Sequence, residues 1–478
     1  MTATSTDNER DAPAGSMDTG GRPFGPRFVT PLLMGAALNP INSSVIATGL
    51  VSIASAMDIP VSKTSILISS LYLTSAVAQP TCGRLAEQFG PRRVFLTGIA
   101  IVLLGGVLGG VSRDLTMLVI SRVMIGLGTS AGYPSAMLLI RRRATMAGLH
   151  APPSRVLGGL AISGAATVAI GPTIGGLLVG WFDWRALFLI NVPVACLTFA
   201  MALLWIARDP DQLGDRTARQ LATKIDLAGV IGFATAMTAL LVFLLSLPRP
   251  HWIALVISTA VWAALVAWEL RASDPFLDVR LLGSNLPLTR TYIRYGLTLL
   301  AIYVILYGLT QWIEVAHGFS ASQAGLILVP MGALSAVTAR IVSRHTAIHR
   351  SLILSAALLV MGGVAALLLT SHSTVLAIMA VTALYGLTSG ASNVANQTAL
   401  YTQAPAEKLG TASGLLRTFG YVGSIAAATI TSIAFHTRVD DSGLHMVALI
   451  LIGIGSVVLV MTIFDRQLST NHREGTRP

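Results

Sequence analysis

Runs of about twenty predominantly apolar residues, the length at which a helix crosses the hydrocarbon core of a bilayer, recur fourteen times along this chain. Six come first, at 29–54, 65–83, 94–111, 115–140, 156–179 and 186–206. After a charged stretch follow two nearly featureless apolar runs, 227–247 and 252–269, and then six more at 292–313, 324–342, 352–369, 375–402, 411–435 and 446–464. Hydrophobic residues make up 53% of the chain and charged residues 11%, with a mean hydropathy of +0.72. That leaves too little polar surface to coat a water-soluble globule of this size. The expected fold class is therefore an all-α polytopic membrane protein. Its expected organisation is a cytosolic tail (1–27), a six-helix bundle (28–207), a linker (208–226), two inserted helices (227–270), a linker (271–288), a second six-helix bundle (289–465) and a tail (466–478).

The net charge of +11 does not point to nucleic acid, because the cations sit in short segments between apolar runs and are not gathered on one face with stacking aromatics. Their distribution instead sets an orientation. With a cytosolic N-terminus, 26 of the 32 Lys and Arg fall on the inner side and five in outer loops, and Arg122 lies inside a helix. Positive residues concentrate on the cytosolic side, so both termini are expected there, in the cell (inner) membrane. The N-terminal segment lacks the apolar centre and small-residue cleavage site of a signal peptide. Cys82 and Cys196 lie in or beside apolar runs and suggest no disulfide framework.

Residues 163–193 read SGAATVAIGPTIGGLLVGWFDWRALFLINVP. Gly171-Pro172 would break a soluble helix, but in a bilayer neighbouring helices re-satisfy the freed backbone groups, and Gly175-Gly176 lets another helix approach closely. A second feature is the tight turn between the second and third runs, GRLAEQFGPRR, in which Glu87 is flanked by cations and by Gly83 and Gly90, with Arg92 and Arg93 closing it. Such a turn can latch onto a neighbouring helix end and release it; equally, it can be a plain positive-inside turn. Arg122 stands seven residues into the fourth run, about 10 Å deep at 1.5 Å per residue. It is either a snorkelling structural arginine or a group that handles protons or substrate, and intramembrane charge favours the second reading.

Two polar stripes interrupt the apolar background. At 100° per residue, Tyr292, Gly296, Thr310 and Glu314 lie within about 20° of Tyr303, with Tyr307 about 40° and Gln311 about 80° away. Such a face is costly against lipid and is expected to line a cavity or a partner helix. Glu314 is its one carboxylate, a proton or cation site or else an interfacial residue near the outer end. Tyr303 and Tyr307 can also be packing residues with bonded hydroxyls. On the twelfth run Thr382, Gly386, Ser389, Asn393, Asn396 and Gln397 recur at helical spacing, and Asn39 and Asn42 place a comparable patch on the first. These amides either read polar ligand groups or bond helix to helix; the expectation is that they line a cavity.

Several chemistries are missing. No G-x-x-x-x-G-K-[ST] phosphate loop occurs, which argues against ATP hydrolysis. His345 and His349 have no third ligand, and no nucleophile triad or dinucleotide loop is found, so neither enzyme activity, metal nor cofactor is expected.

Taken together, the motifs resemble the major facilitator superfamily, in particular its fourteen-helix drug/proton antiporter branch of multidrug efflux type. The turn 83–93 resembles that superfamily's signature between helices two and three, Arg122, Gly126 and Gly128 its fourth-helix pattern, and Gly171, Pro172, Gly175 and Gly176 its antiporter motif. WRALFLINVP resembles the segment that follows in this branch. The sequence departs in three places: Glu87 stands for the loop aspartate, Thr167 for the leading glycine of the antiporter motif, and Asn42 and Ser44 for a first-helix aspartate and threonine. The resemblance implies two six-helix bundles plus two inserted helices, with the polar helices facing a central cavity. It also implies proton-coupled export of small lipophilic compounds or drugs by alternating access, and hence antibiotic resistance. Arg122 and Glu314 are then the proton-coupling candidates. The expected partners are a small-molecule substrate, protons and the lipid bilayer, for a monomer. An uptake permease or uniporter on the same scaffold, a non-transporting membrane sensor and a lipid-acting enzyme are the rival readings.

Overall fold

The computed structural model describes residues 23–149, 153–209, 226–246, 250–273, 275–343, 348–404 and 409–465. Nearly all of the expected 1–27 tail, most of the 208–226 linker, the 466–478 tail and His345 lie outside the described residues. Every regular element among the described residues is helical.

The first apolar run forms α1 (Pro26–Val45), a 3-10 turn (Ile46–Gly49) and α2 (Leu50–Ala56). Pro40 inside α1 removes a helical N–H, and Ser43 and Ser44 both donate to its carbonyl oxygen, at 2.8 and 3.0 Å. There follow α3 (Ser65–Phe89), α4 (Pro91–Gly110), α5 (Leu115–Ser130), α6 (Gly132–Met146), α7 (Ser154–Trp181), α8 (Ala186–Leu189) and α9 (Asn191–Trp205). The inserted pair is α10 (Leu227–Leu245) and α11 (Trp252–Glu269). After α12 (Val279–Ser284) come α13 (Leu286–Val315), α14 (Ala321–Ile327), α15 (Val329–Val342), α16 (Ile348–Leu367), α17 (Val375–Gln403), α18 (Leu409–Ala434) and α19 (Asp441–Ile463). Side-chain caps start several of them: Asp114 accepts from Met117 N, Asp440 from Gly443 N, and Ser320 with Gln323 forms a reciprocal capping box.

Twelve helical segments among the described residues are long and apolar enough to cross a membrane, which makes this a multi-pass membrane protein. Fourteen were expected from the sequence. The two expected runs that are not among the twelve fall in α7 and α18, helices of 28 and 26 residues.

The helices sort into two groups. In the first, α1 packs on α7, α4 on α5 and α9, and α3 on α5; in the second, α13 packs on α18, α15 on α17, and α16 on α17 and α19. The groups meet along two seams, α7 against α14 and α15, and α3 against α18. The inserted α10 lies over the second seam, touching both α3 and α18, with α11 packed on α10. We call the end of the bundle where α1 begins and α19 ends the terminal face, and the other end the far face.

Candidate functional site

The α7 seam is a contact of backbone on backbone. A Cβ on Gly171 would overlap Ser44 Oγ, and one on Gly175 would overlap the carbonyl oxygen of Val45, so one face of α7 lies flat on α1. On the other face, a Cβ on Gly176 would overlap the carbonyl oxygen of Ala321, and one on Gly325 would stand 2.7 Å from the carbonyl oxygen of Pro172. That oxygen accepts from Thr48 at 3.3 Å, while Thr173 donates to the Gly325 carbonyl at 3.0 Å and Ser322 to that of Gly176 at 2.9 Å. The Gly-Pro helix thus holds the two groups together at the far-face end.

Deeper in, Arg122 of α5 is 2% exposed. Its Nε donates to the Leu67 carbonyl at 3.0 Å, and both terminal nitrogens donate to the Asn42 carbonyl at 3.1 Å. It makes no ion pair among the described residues. The change from α to 3-10 geometry one turn beyond Asn42 leaves carbonyls of α1 open to such partners, and the Ser43 carbonyl accepts from Tyr307 of the other group at 3.1 Å. Tyr307 also meets Tyr72, hydroxyl to hydroxyl, at 3.2 Å, and Tyr303 stacks on Tyr307 and stands edge-on to Tyr72. The Asn42 side chain exchanges two hydrogen bonds with Asn191 of α9, at 2.6 and 3.0 Å.

Towards the terminal face, Asn39 donates to Ser75 and Thr129, at 2.9 and 3.0 Å. Across the seam Tyr421 donates to Asn39 Oδ1 at 3.4 Å and to Gln79. Tyr295 donates to Asn393 Oδ1 at 3.3 Å, and the Arg417 guanidinium lies over the Tyr133 ring, 3.9 Å from its centroid. Amides, phenols and one cation therefore converge where α3 and α6 face α13, α17 and α18.

The two stripes are divided between packing and this region. Tyr292 stacks on Phe419 of α18, and a Cβ on Gly296 would stand 2.9 Å from the Phe419 carbonyl. On α17, Thr382 donates to the Ile327 carbonyl at 3.3 Å, and Gly386 abuts Met331. Asn396, fully buried, accepts from Arg294 Nε at 3.0 Å. Asn393 and Gln397 are half-buried one turn apart. Gln311 and Glu314 are both buried near the far-face end of α13, on the side that carries Tyr307 and faces the 3-10 turn and α2. Glu314 Oε1 has no hydrogen-bond partner among the described residues.

At the terminal face the turn 83–93 is organised around a carboxylate other than Glu87, which is exposed. Gly90 adopts φ +97°, and beside it Asp209, which follows α9, accepts from the backbone of Arg93 at 2.9 Å and of Arg92 at 3.4 Å. It also pairs with Arg142 at 3.2 Å. The Arg92 side chain reaches the Leu203 carbonyl at 2.8 Å, and Arg84, next to Gly83, the Pro275 carbonyl at 2.5 Å. His349 bonds the Thr462 carbonyl at 2.9 Å.

Sequence reasoning missed Asn191, Gln79, Tyr72, Tyr421, Asp209 and the Arg294–Asp465 pair, which is 3.3 Å long with both side chains buried. Arg294 and Arg417, near the starts of the runs 292–313 and 411–435, were counted only among the inner-side cations. Arg294 lies within α13 because that helix begins at Leu286, with Asn285 capping it and Pro287 in its first turn. One signal was available: Asp209 and Asp465 each stand within three residues of the end of the last apolar run of a six-helix set.

Comparison with known proteins places this architecture. Residues 32–428 match the family profile of the Major Facilitator Superfamily. A relative from Bacillus subtilis (strain 168), titled uncharacterized MFS-type transporter YwoD, is 31% identical over 91% of this chain and 96% of its own length. The tetracenomycin C resistance and export protein of Streptomyces glaucescens is 26% identical over 88% of this chain and 77% of that one. Multidrug resistance protein Stp of Mycobacterium tuberculosis (strain CDC 1551 / Oshkosh) is 26% identical over 77% and 69%. Among solved structures, a bacterial homologue of the human drug peptide transporters PepT1 and PepT2 shares the fold, with a TM-score of 0.64 at 15% identity over 94% of this chain and 99% of that one.

Proposed function

The chain belongs to the major facilitator superfamily, a transporter and not an enzyme, and on that premise we propose that it exports small lipophilic compounds or drugs in exchange for protons, by alternating access. Relatives named for drug resistance and export support the direction and the class of cargo. The observation that carries proton coupling is Glu314. Its carboxyl is buried near the far-face end of α13, on the helix face that also carries Tyr303, and one of its oxygens has no hydrogen-bond partner among the described residues. Rocking of the groups would open that end and expose the carboxyl to the far side, where it can exchange a proton. Arg122, within the first group and tied to both α1 and α3, is the second coupling group.

In this reading α7 and α18 cross the bilayer with the other twelve segments, which makes fourteen. Residues 28–207 and 289–465 are the rocking bundles, 227–270 the inserted pair, and both termini are cytosolic in the inner membrane of a monomer. The turn at Gly83, Glu87, Gly90, Arg92 and Arg93 is a cytosolic latch. Asn39, Asn42, Tyr303, Tyr307, Gln311, Asn393 and Gln397 border the substrate path, while Tyr292 on Phe419 and Asn396 on Arg294 brace the second bundle behind it. The test is uptake of a fluorescent dye by inside-out vesicles, with and without a pH gradient. Gradient-dependent accumulation is expected; equilibration that ignores the gradient would sink proton coupling.

A further inference from the structure

Charge is distributed one-sidedly inside the bundle. Among the described residues every Asp and Glu lies in a loop or within one turn of a helix end, Glu314 included. Three arginines, Arg122, Arg294 and Arg417, stand about two turns inside α5, α13 and α18. Arg294 has its carboxylate in Asp465, and Arg122 has three hydrogen bonds to carbonyls.

Arg417 has neither. It makes no ion pair among the described residues; it lies over the Tyr133 ring of the opposite helix group, its guanidinium is within hydrogen-bonding reach of the Tyr133 and Tyr421 hydroxyls, and Tyr295 is close enough to act on its charge. The neighbouring polar groups, Asn39, Gln79 and Asn393, are neutral. A guanidinium held in a ring of phenols in a low-dielectric seam still offers a planar fork of donors, the geometry that takes a carboxylate through two parallel bonds. The same place repels a cation, and among the described residues no carboxylate pairs with Arg417 there to receive one.

Resting on the reading of this protein as a small-molecule exporter, we infer that its cargo is a lipophilic aromatic acid, whose carboxylate or acidic phenol is bound by Arg417 while its rings lie among Tyr133, Tyr295 and Tyr421. Arg417 is a specificity-determining residue on this account. It favours anionic cargo and excludes the cationic dyes commonly used to assay drug exporters.

Fluorescein and rhodamine 123 share a xanthene scaffold and carry opposite charge, so they isolate the charge preference. Binding of each to the purified full-length protein in detergent is measured by fluorescence anisotropy, and accumulation of each is measured in inside-out vesicles. The expected result is that fluorescein binds at least about tenfold more tightly than rhodamine 123, the equivalent of one charge-assisted contact at 1.4 kcal/mol. Arg417→Gln should remove that margin without weakening rhodamine 123, and Arg417→Lys should keep part of it. If Arg417→Gln does not elute as a folded monodisperse species, Tyr133→Leu, which leaves the charge and removes a ring, should weaken fluorescein several-fold. Equal or tighter binding of rhodamine 123 by the unaltered protein, binding of neither dye, or fluorescein binding indifferent to these changes overturns the inference. Fluorescein that binds through Arg417 but is not moved in vesicles would count against the exporter reading alone, whereas gradient-driven accumulation of rhodamine 123 in preference to fluorescein would leave that reading standing and remove this one.

Discussion

Arg122 and Arg294 are buried to nearly the same degree, 2% and 1% exposed, and they are held in opposite ways. Arg294 sits near the terminal face in a closed set of partners from its own helix group: Asp465, Asn396 and Thr291. Arg122 sits deeper, beside the boundary between groups, and all three of its hydrogen bonds end on backbone carbonyls of two helices. A guanidinium paired with a buried carboxylate is committed, because separating the two leaves a charge without compensation. One resting on neutral carbonyls can exchange them for others of the same kind at small cost. The first arrangement suits a fastening and the second a moving part.

Each arm of that contrast can be broken. The largest effect is expected for Arg294→Ala, which leaves the buried Asp465 only its long 3.9 Å pairing with the half-exposed Arg290 and should lower stability by about 3 kcal/mol. Thermal unfolding of the detergent-purified protein measures it, and Arg294→Gln combined with Asp465→Asn should recover most of the loss. An unchanged melt would mean that Arg294 is not a fastening. Arg122→Ala should cost less stability, about 1–3 kcal/mol for carbonyls left unpaired, yet eliminate gradient-driven efflux while the protein still inserts. Near-normal efflux would place Arg122 with Arg294 as structural. For Glu314→Gln the expectation is export that no longer responds to a pH gradient, with dye binding retained; an unaltered pH profile would remove Glu314 from the coupling path. The smallest effect belongs to Asp209→Asn, whose partner Arg142 is 36% exposed and whose backbone donors an amide oxygen can still accept, so that about 1 kcal/mol is at stake. A drop as large as that of Arg294→Ala would show the two helix groups to be fastened alike.

Apolar runs and punctuation made the helices legible in the sequence, because membrane burial demands about twenty apolar residues whatever the tertiary context. The Gly-Pro helix was legible for the same kind of reason: Gly171, Gly175 and Gly176 leave room that only a close neighbour can fill. The identity of that neighbour was not legible, since α14 is more than a hundred residues away and its Gly325 belongs to no recognised motif. Polar residues were read least well. A helical-wheel stripe gives direction but not partner, so Tyr292 and Gly296 shared a face with Tyr303 yet pack on α18. Glu87 drew attention by its motif, while the carboxylate that caps α4 is Asp209, brought there by the return of the chain after α9. Arg294 and Arg417 were counted with the inner-side cations because a cation near a helix end looks the same in sequence whether it is solvated or enclosed.

Asp209 and Asp465 follow the last helix of each group, and each is tied back to an earlier helix of that same group, to α4 and α6 in one case and to α13 in the other. In mechanical terms each bundle is girdled at its terminal end, so bending stress there is shared across the bundle rather than absorbed by a single helix. Each group then behaves as a stiff lever whose fulcrum lies on the α7 and α3 seams. A tilt of a few degrees at that fulcrum, carried along helices tens of ångströms long, becomes a displacement of several ångströms at the ends, without a hinge inside either bundle.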